Sequence, residues 1–268
     1  MSDRPLQGKW ALILGASSGF GAAAGKALAA AGMNIAGVHL DLRGTLPMAK
    51  QVIADIEACG VKALFFNTNA ADPDRRAKVL DGLAAALGPG ETVHVFIHSL
   101  AFGSLLPFIA DNPDEAISQA QMEMTANVMA HSLVYWTQDL VRRGMLGRGS
   151  RIFSMTSEGS QRVLPSYGAV SAAKAALESH TRQLAMELGP RGVQVNCIQA
   201  GVTDTPALRK IPGNDIMIDM TLRRNPQHRL TTTDDVAATV VALSHPDVKF
   251  ISGSVIFVDG GEAATVGG

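Results

Sequence analysis

Tyr167 and Lys174 stand seven residues apart in the stretch SYGAVSAAK, and Tyr167 is one of only two tyrosines in the chain. A phenol can give up a proton, and an ammonium beside it favours the anion that forms. The pair is therefore a candidate proton donor for chemistry that builds negative charge on an oxygen. On a helix, four residues advance about 6 Å and seven about 10.5 Å, and at about 100° per residue both offsets return close to one face. The residue four before Lys174 is Val170, which has no proton to give. The tyrosine is thus set back by one turn from the spacing many reductases use, so the site is either broken or built for different chemistry.

A second constellation lies in LGASSGFGAAAG, which follows the first apolar run and opens the first helical pattern. Gly15, Gly19 and Gly21 give the spacing Gly-x-x-x-Gly-x-Gly. Glycine is needed where a turn is tight and where a phosphate must approach the backbone with no Cβ in the way. N–H groups at the helix start, aided by the helix dipole, would face a pyrophosphate, so Gly15, Ser17, Ser18, Gly19, Phe20 and Gly21 form a candidate dinucleotide cradle. The same letters also fit Gly-x-Ser-x-Gly, the nucleophile elbow of hydrolases. That reading requires a later acid and a later histidine at strand ends. His180 and His228 do not fall there, and a third closely spaced glycine has no purpose in it. The second strand ends in VHLDLR. An acid there bonds the adenosine ribose of NAD, whereas an arginine accommodates the extra phosphate of NADP. Asp41 and Arg43 are both close, Asp41 about two residues late, so the choice stays open between a divided cofactor signal and plain loop charges.

These groups need a scaffold. Short apolar runs (WALILG, Trp10–Gly15; NIAGVHL, Asn34–Leu40; KALFFN, Lys62–Asn67; VHVFIHS, Val93–Ser99; RIFSMTS, Arg151–Ser157; VQVNCI, Val193–Ile198; SVIFVDGG, Ser254–Gly261) alternate with longer Ala-rich helical patterns such as Gly21–Gly32. The runs are apolar at nearly every position, as expected for parallel strands covered on both faces. The prediction is an α/β fold: a single-domain, Rossmann-type, doubly wound parallel sheet of about seven strands over residues 1–268. The one long irregular region, Gly201 to Pro226, reads as a substrate lid, and its NDIMIDMTL stretch offers methionines that adapt to an apolar ligand.

Composition narrows the classes. The chain has 268 residues with 47% apolar and 18% charged, and Lys+Arg 23 against Asp+Glu 24 leave a net charge of −1. With no basic block, neither nucleic acid nor an anionic membrane is an expected partner. The N-terminal stretch lacks a signal-peptide pattern, and no run approaches the roughly 20 apolar residues that span a bilayer. The expectation is a cytoplasmic protein. Cys59 and Cys197 read as two buried thiols, and no His/Cys/Asp cluster has metal-ligand spacing.

Taken in order, the glycine loop, Asn127 in MTANVMAHS, the Tyr167/Lys174 stretch, VQVNCIQAG and the terminal VDGG resemble the short-chain dehydrogenase/reductase family over nearly the full chain. Three departures from its common pattern are similar to the enoyl-acyl-carrier-protein reductase branch. HSLAFG (His98–Gly103) replaces an Asn-Asn-Ala-Gly run, Ala200-Gly201 replaces Pro-Gly, and the Tyr-to-Lys spacing is seven. The ordinary form of the glycine loop resembles the enoyl reductase III type.

That resemblance implies NADH or NADPH as cofactor, with the preference open, and reduction of the 2,3-double bond of an enoyl thioester on coenzyme A or an acyl carrier protein, in fatty-acid or related acyl biosynthesis. It implies Tyr167 as the group that bonds or protonates the forming enolate, and Lys174 as holder of the nicotinamide ribose and source of a positive field. Ser157 would help bind the carbonyl, although Ser154, Thr156 and Ser160 compete for that place, and Asn127 would support a water relay. Thr205 would meet the nicotinamide amide, Asn69 would lie on the adenine side with Asp41 near the ribose, and Ser99 and Ala101 would line the cofactor channel. A homotetramer is also implied. The alternatives are a short-chain carbonyl reductase acting on a 3-oxoacyl, steroid or polyketide substrate, and a non-catalytic NAD(P) sensor.

Overall fold

The computed structural model describes residues 4–265. Seven strands form one parallel sheet in the order β3-β2-β1-β4-β5-β6-β7. They are β1 (Trp10–Leu14), β2 (Asn34–His39), β3 (Ala63–Asn67), β4 (Val93–His98), β5 (Arg151–Thr156), β6 (Gln194–Ala200) and β7 (Val255–Val258). Each predicted apolar run falls on one of them, with β6 extending two residues past the predicted Ile198 end, because residues covered on both faces must be apolar throughout and the signal is continuous. The strand order reverses between β1 and β4. In such sheets the crevice outside the strand C-termini at that point is where ligands bind.

Eight α-helices cover the faces: α1 (Gly19–Ala30), α2 (Leu46–Glu57), α3 (Pro73–Ala86), α4 (Gln119–Ala126), α5 (Ser132–Arg142), α6 (Gly168–Leu188), α7 (Asn214–Arg224) and α8 (Thr233–Ser244). Their starts follow local chemistry. Asp72 caps α3 ahead of Pro73, and capping boxes begin α4 (Ser118 with Gln121) and α8 (Thr232 with Asp235), satisfying N–H groups that would otherwise lack partners. Alternation along β1 splits the core. Leu12 and Leu14 join Phe96, Trp136, Tyr167 and Leu177 on one face, while Ala11 and Ile13 join Ile35, Ile56 and Val236 on the other. Trp136 is fully buried, and its indole N–H donates to Ala70 O at 2.8 Å.

Two expectations are corrected. The region 201–226 is not irregular throughout: it contains α7 and a short 3-10 turn, Leu208–Lys210. Gly213 and Pro212 obscured the helix start, and α7 buries only Thr221, leaving its apolar residues half-buried or exposed. Cys59 is exposed, while Cys197 is buried in β6. The α2 helix ends at Glu57 and Cys59 falls beyond its cap, on the surface side. Among the described residues no helix is long and apolar enough to cross a membrane, and no cluster of three or more His, Cys, Asp or Glu could hold a metal ion.

Leu12, fully buried at the centre of the sheet, sets the scale of the core. Leu12→Ala is expected to cost about 2–5 kcal/mol of folding stability, read from the midpoint of urea unfolding at unchanged slope.

Candidate active site

The glycine loop and α1 form the cradle. Gly15 has φ +84°, and a Cβ there would strike the carbonyl of Ser99. A Cβ on Gly21 would strike the carbonyl oxygen of Gly15. The first turn of α1 is thus pressed onto the loop so closely that only glycine fits both contacts. Ser18 stands at the helix N-cap in extended conformation and makes no capping hydrogen bond with its side chain. The first-turn N–H groups therefore lack that partner and suit an anion. The cleft beside them is lined by Ser17, Ser18, Gly19, Lys26, Asp204 and Thr205. Phe20 is half-buried in α1. Thr205 is buried, and its hydroxyl accepts the Leu208 N–H at 3.2 Å. These features fit a dinucleotide with its pyrophosphate at the start of α1.

At the adjoining edge Asp41 is tied into the fold rather than solvated. Its carboxylate meets His39 Nδ1 at 2.8 Å. Its backbone N–H donates to Asn67 Oδ1 and its carbonyl accepts from Asn67 Nδ2, both at 2.9 Å. Burial works to raise its carboxyl, but hydrogen bonds from Thr45, Ser17 and His39 outweigh burial and hold it below the ordinary carboxylate range. Arg43 is exposed. Asn69 is also exposed, and its side-chain oxygen accepts the Ala71 N–H at 2.9 Å within its own turn. Ser99 continues the β1–β4 pairing by donating its N–H to Leu14 O at 2.9 Å, and Ala101 is exposed on the loop beyond.

The second half of the site sits where β5 meets α6. Tyr167 is the residue just before α6, 9% exposed, and its carbonyl accepts the first helical N–H, from Ser171, at 2.8 Å. Ser166, directly before it, has φ +57°, a conformation that costs a non-glycine residue of order 1–3 kcal/mol and that concentrates at functional sites. Burial pushes the Tyr167 phenol up, and the neighbouring Ser157 hydroxyl works the other way. Ser157 Oγ is buried without a partner of ordinary hydrogen-bond geometry. A Cβ on Gly159 would lie 2.6 Å from Tyr167 Cε1 and 3.3 Å from Ser157 Oγ, which places both hydroxyl-bearing residues around that glycine. Of the competing hydroxyls, Ser154 and Thr156 face α6: Ser154 Oγ is 3.0 Å from Thr181 Oγ1, and Thr156 Oγ1 donates to Glu178 Oε1 at 2.7 Å. Ser160 Oγ is buried and unpartnered.

Lys174 is buried, and its Nζ donates to Met155 O at 2.6 Å. Burial lowers its pKa to about 8, against the opposing influence of Cys197 and then Glu178. His98 beside it is fully buried, and burial, then the Lys174 charge, brings its imidazole down to about 3. Its Nε2 meets Ser132 Oγ at 2.7 Å, and that hydroxyl donates to Val128 O at 2.7 Å, so the ring is a neutral structural element. Val170 is buried against the core, filling with hydrocarbon the place four residues before the lysine. Asn127 is half-buried at the first residue of a π-helical turn, Asn127–His131, that joins α4 to α5 and packs on α6. Such turns are frequent at functional sites.

Sequence reasoning did not single out Glu178, Gly159 or Arg224, and it weighed Thr156 only as a competitor of Ser157. The spacing of Glu178, four residues past Lys174, was its one readable signal. Arg224 on α7 donates to Glu158 Oε2 at 2.6 Å and Glu262 Oε1 at 2.8 Å, tying α7 to the residue after Ser157 and to the C-terminal turn.

A family model described as enoyl-(acyl carrier protein) reductase matches residues 15–262. Enoyl-[acyl-carrier-protein] reductase [NADH] FabI of Aquifex aeolicus is 31% identical over 170 residues, 63% of this chain and 62% of that relative. The chain thus spans less than two-thirds of that protein's length. L-xylulose reductase of Bos taurus is 28% identical over 98% of this chain and 100% of its own. Among solved structures, a short-chain dehydrogenase from Burkholderia cenocepacia in complex with NADP is 32% identical, with a TM-score of 0.81 over 97% of this chain and 99% of that one.

Gly21→Ala is expected to weaken dinucleotide binding at least about tenfold, because the new methyl forces α1 off the loop whose N–H groups bind the phosphates. Fluorescence titration measures this, with circular dichroism confirming an intact fold.

Proposed function

We propose that this chain, which belongs to the enoyl-(acyl carrier protein) reductase family of short-chain dehydrogenase/reductases, reduces the 2,3-double bond of an enoyl thioester with NADH or NADPH as cofactor. When bound, the cofactor supplies the hydride. The cradle at Gly15–Gly21 suits its pyrophosphate, Lys174 its nicotinamide ribose, and Thr205 its carboxamide. Asp41 and the exposed Arg43 stand at the adenosine end.

The observation that carries the reading is the placement of Tyr167. In carbonyl reduction, hydride and proton reach adjacent atoms. In enoyl thioester reduction, hydride reaches the β-carbon while negative charge develops on the thioester oxygen, so the donor must stand further from the nicotinamide. Tyr167 lies one turn back from the usual position, at the mouth of α6, and the usual position is a buried valine. The phenol is held neutral by burial and donates to the developing oxyanion, with Ser157 as a second hydroxyl. The Lys174 ammonium stabilises the charge as it forms. The region 201–226, with α7 and its half-buried Met217, covers the acyl chain as a lid. The carrier is coenzyme A or an acyl carrier protein, the setting cytoplasmic, and the assembly a homotetramer. Exposed apolar residues on α5 and α6 (Tyr135, Met186), in β7 (Phe257) and in the bend before it (Phe250) support the assembly, since apolar surface of this kind favours association.

The full-length similarity to a sugar reductase favours a second reading, a carbonyl reductase of the same family. The two are separated by following absorbance of NADH and of NADPH with a trans-2-enoyl thioester and with a 3-oxoacyl thioester. Consumption with the enoyl substrate alone supports the first reading, and consumption with the 3-oxo substrate alone overturns it. Tyr167→Phe is expected to lower turnover about 100-fold at unchanged cofactor affinity. Because Lys174 carries its proton below about 8, wild-type turnover is expected to fall as pH rises through that value. A flat profile from pH 7 to 9 would remove the ammonium from the mechanism.

A further inference from the structure

Glu178 is a buried carboxylate, 7% exposed, four residues after Lys174 on α6. Its Oε1 accepts the Thr156 hydroxyl at 2.7 Å. Lys174 Nζ donates to the carbonyl of Met155, the preceding residue of β5. Ammonium and carboxylate are therefore held by consecutive residues of one strand end, and Ser157 follows directly. Other ionisable groups lie around Lys174 among the described residues. Tyr167 lies at the start of the same helix, its phenol kept neutral by burial. From β6, Cys197 is buried and bonded to Ser154 and Thr181 at 2.9 and 3.2 Å, and although its thiolate would support the Lys174 charge, burial raises its thiol and disfavours that form. From β4, His98 stays uncharged. Among the described residues, Glu178 is the carboxylate left to balance the buried ammonium. A buried carboxylate is costly unless it is hydrogen-bonded and offsets a charge, so its presence calls for such a role.

We propose that Glu178 is a positioning residue that keeps Lys174 protonated at working pH and, through Thr156, fixes the strand end carrying Ser157. This rests on Tyr167 and Lys174 being the reactive pair. An anion near a lysine raises its pKa, and burial alone would drive it lower. Removing the charge while keeping the shape therefore lowers it.

The test is Glu178→Gln in the full chain, whose amide oxygen still accepts from Thr156. Affinity for NADH and NADPH, by fluorescence titration from pH 6 to 9.5, is read beside turnover of the thioester. The alkaline limb of both profiles is expected to move down by about one pH unit, a loss of about threefold at pH 7.5 and little change at pH 6. Glu178→Asp, which keeps the charge, should restore most of the shift. A structural brace alone would change the melting temperature and leave the profiles in place, and that result overturns the proposal. Lys174→Ala separates the premise. If it is inert while Glu178→Gln has the wild-type profile, the role of Glu178 alone fails; if it turns over normally, the reactive pair and Glu178 fail together. Should Glu178→Gln not fold, Glu178→Met, which removes the charge at similar volume, takes its place. A downward shift of the alkaline limb supports the proposal, and an unmoved profile overturns it.

Discussion

The junction between the C-terminal end of β5 and the buried face of α6 is the constraint on which the site depends. Three successive β5 residues are bonded to α6: Ser154 to Thr181, Met155 O to Lys174 and Thr156 to Glu178. Ser157, the next residue, faces Tyr167 across Gly159. In a water-poor interior such bonds are costly to leave unmade, so the register of helix on strand is sharply defined. The same junction admits a lysine into the core, since its ammonium would otherwise be an unpaired buried charge.

The opposite wall is set by backbone contact rather than by polar bonds. Where a Cβ on Gly15 would meet Ser99 and one on Gly21 would meet Gly15, β1, α1 and the chain leaving β4 close on one another without side chains between them. That contact leaves the N–H groups at the start of α1 free to receive phosphate. The glycine loop follows β1 and Tyr167 lies beyond β5, on the two sides of the point where the strand order reverses, so the two belong to different β-strands of one sheet.

The third component is the segment after β6. Arg224 links α7 to Glu158 and Glu262, and Thr221 Oγ1 donates to Glu262 Oε1 at 2.9 Å. Guanidinium–carboxylate bonds of this kind are directional. They hold a helix with little apolar burial of its own against the turn next to Ser157. The segment after β6 and the turn that carries Ser157 are therefore mechanically joined.

The sheet was legible in the sequence because parallel strands buried on both faces are continuously apolar. The cradle was legible because close backbone contact tolerates only glycine at fixed spacing. The spacing of Tyr167 to Lys174 was equally readable, since helical geometry relates them within one short stretch. The sequence determined, by itself, which chemistry-bearing residues exist and which of them share a helix face. What it could not carry was contact between residues far apart in the chain. Asp41 read as a loop charge or a ribose ligand, and only the fold placed Asn67 and Ser17 around it. Ser157 was favoured over Ser154, Thr156 and Ser160 only by resemblance, and the packing of α6 on β5 placed Ser154 and Thr156 against α6 and Ser157 beside Tyr167. Cys59 and α7 were misread for one reason: burial belongs to a position in the packed structure, and residue type predicts it weakly where an element lies at the surface. Glu178 became visible only when α6 was laid on β5, because a buried carboxylate is defined by what surrounds it.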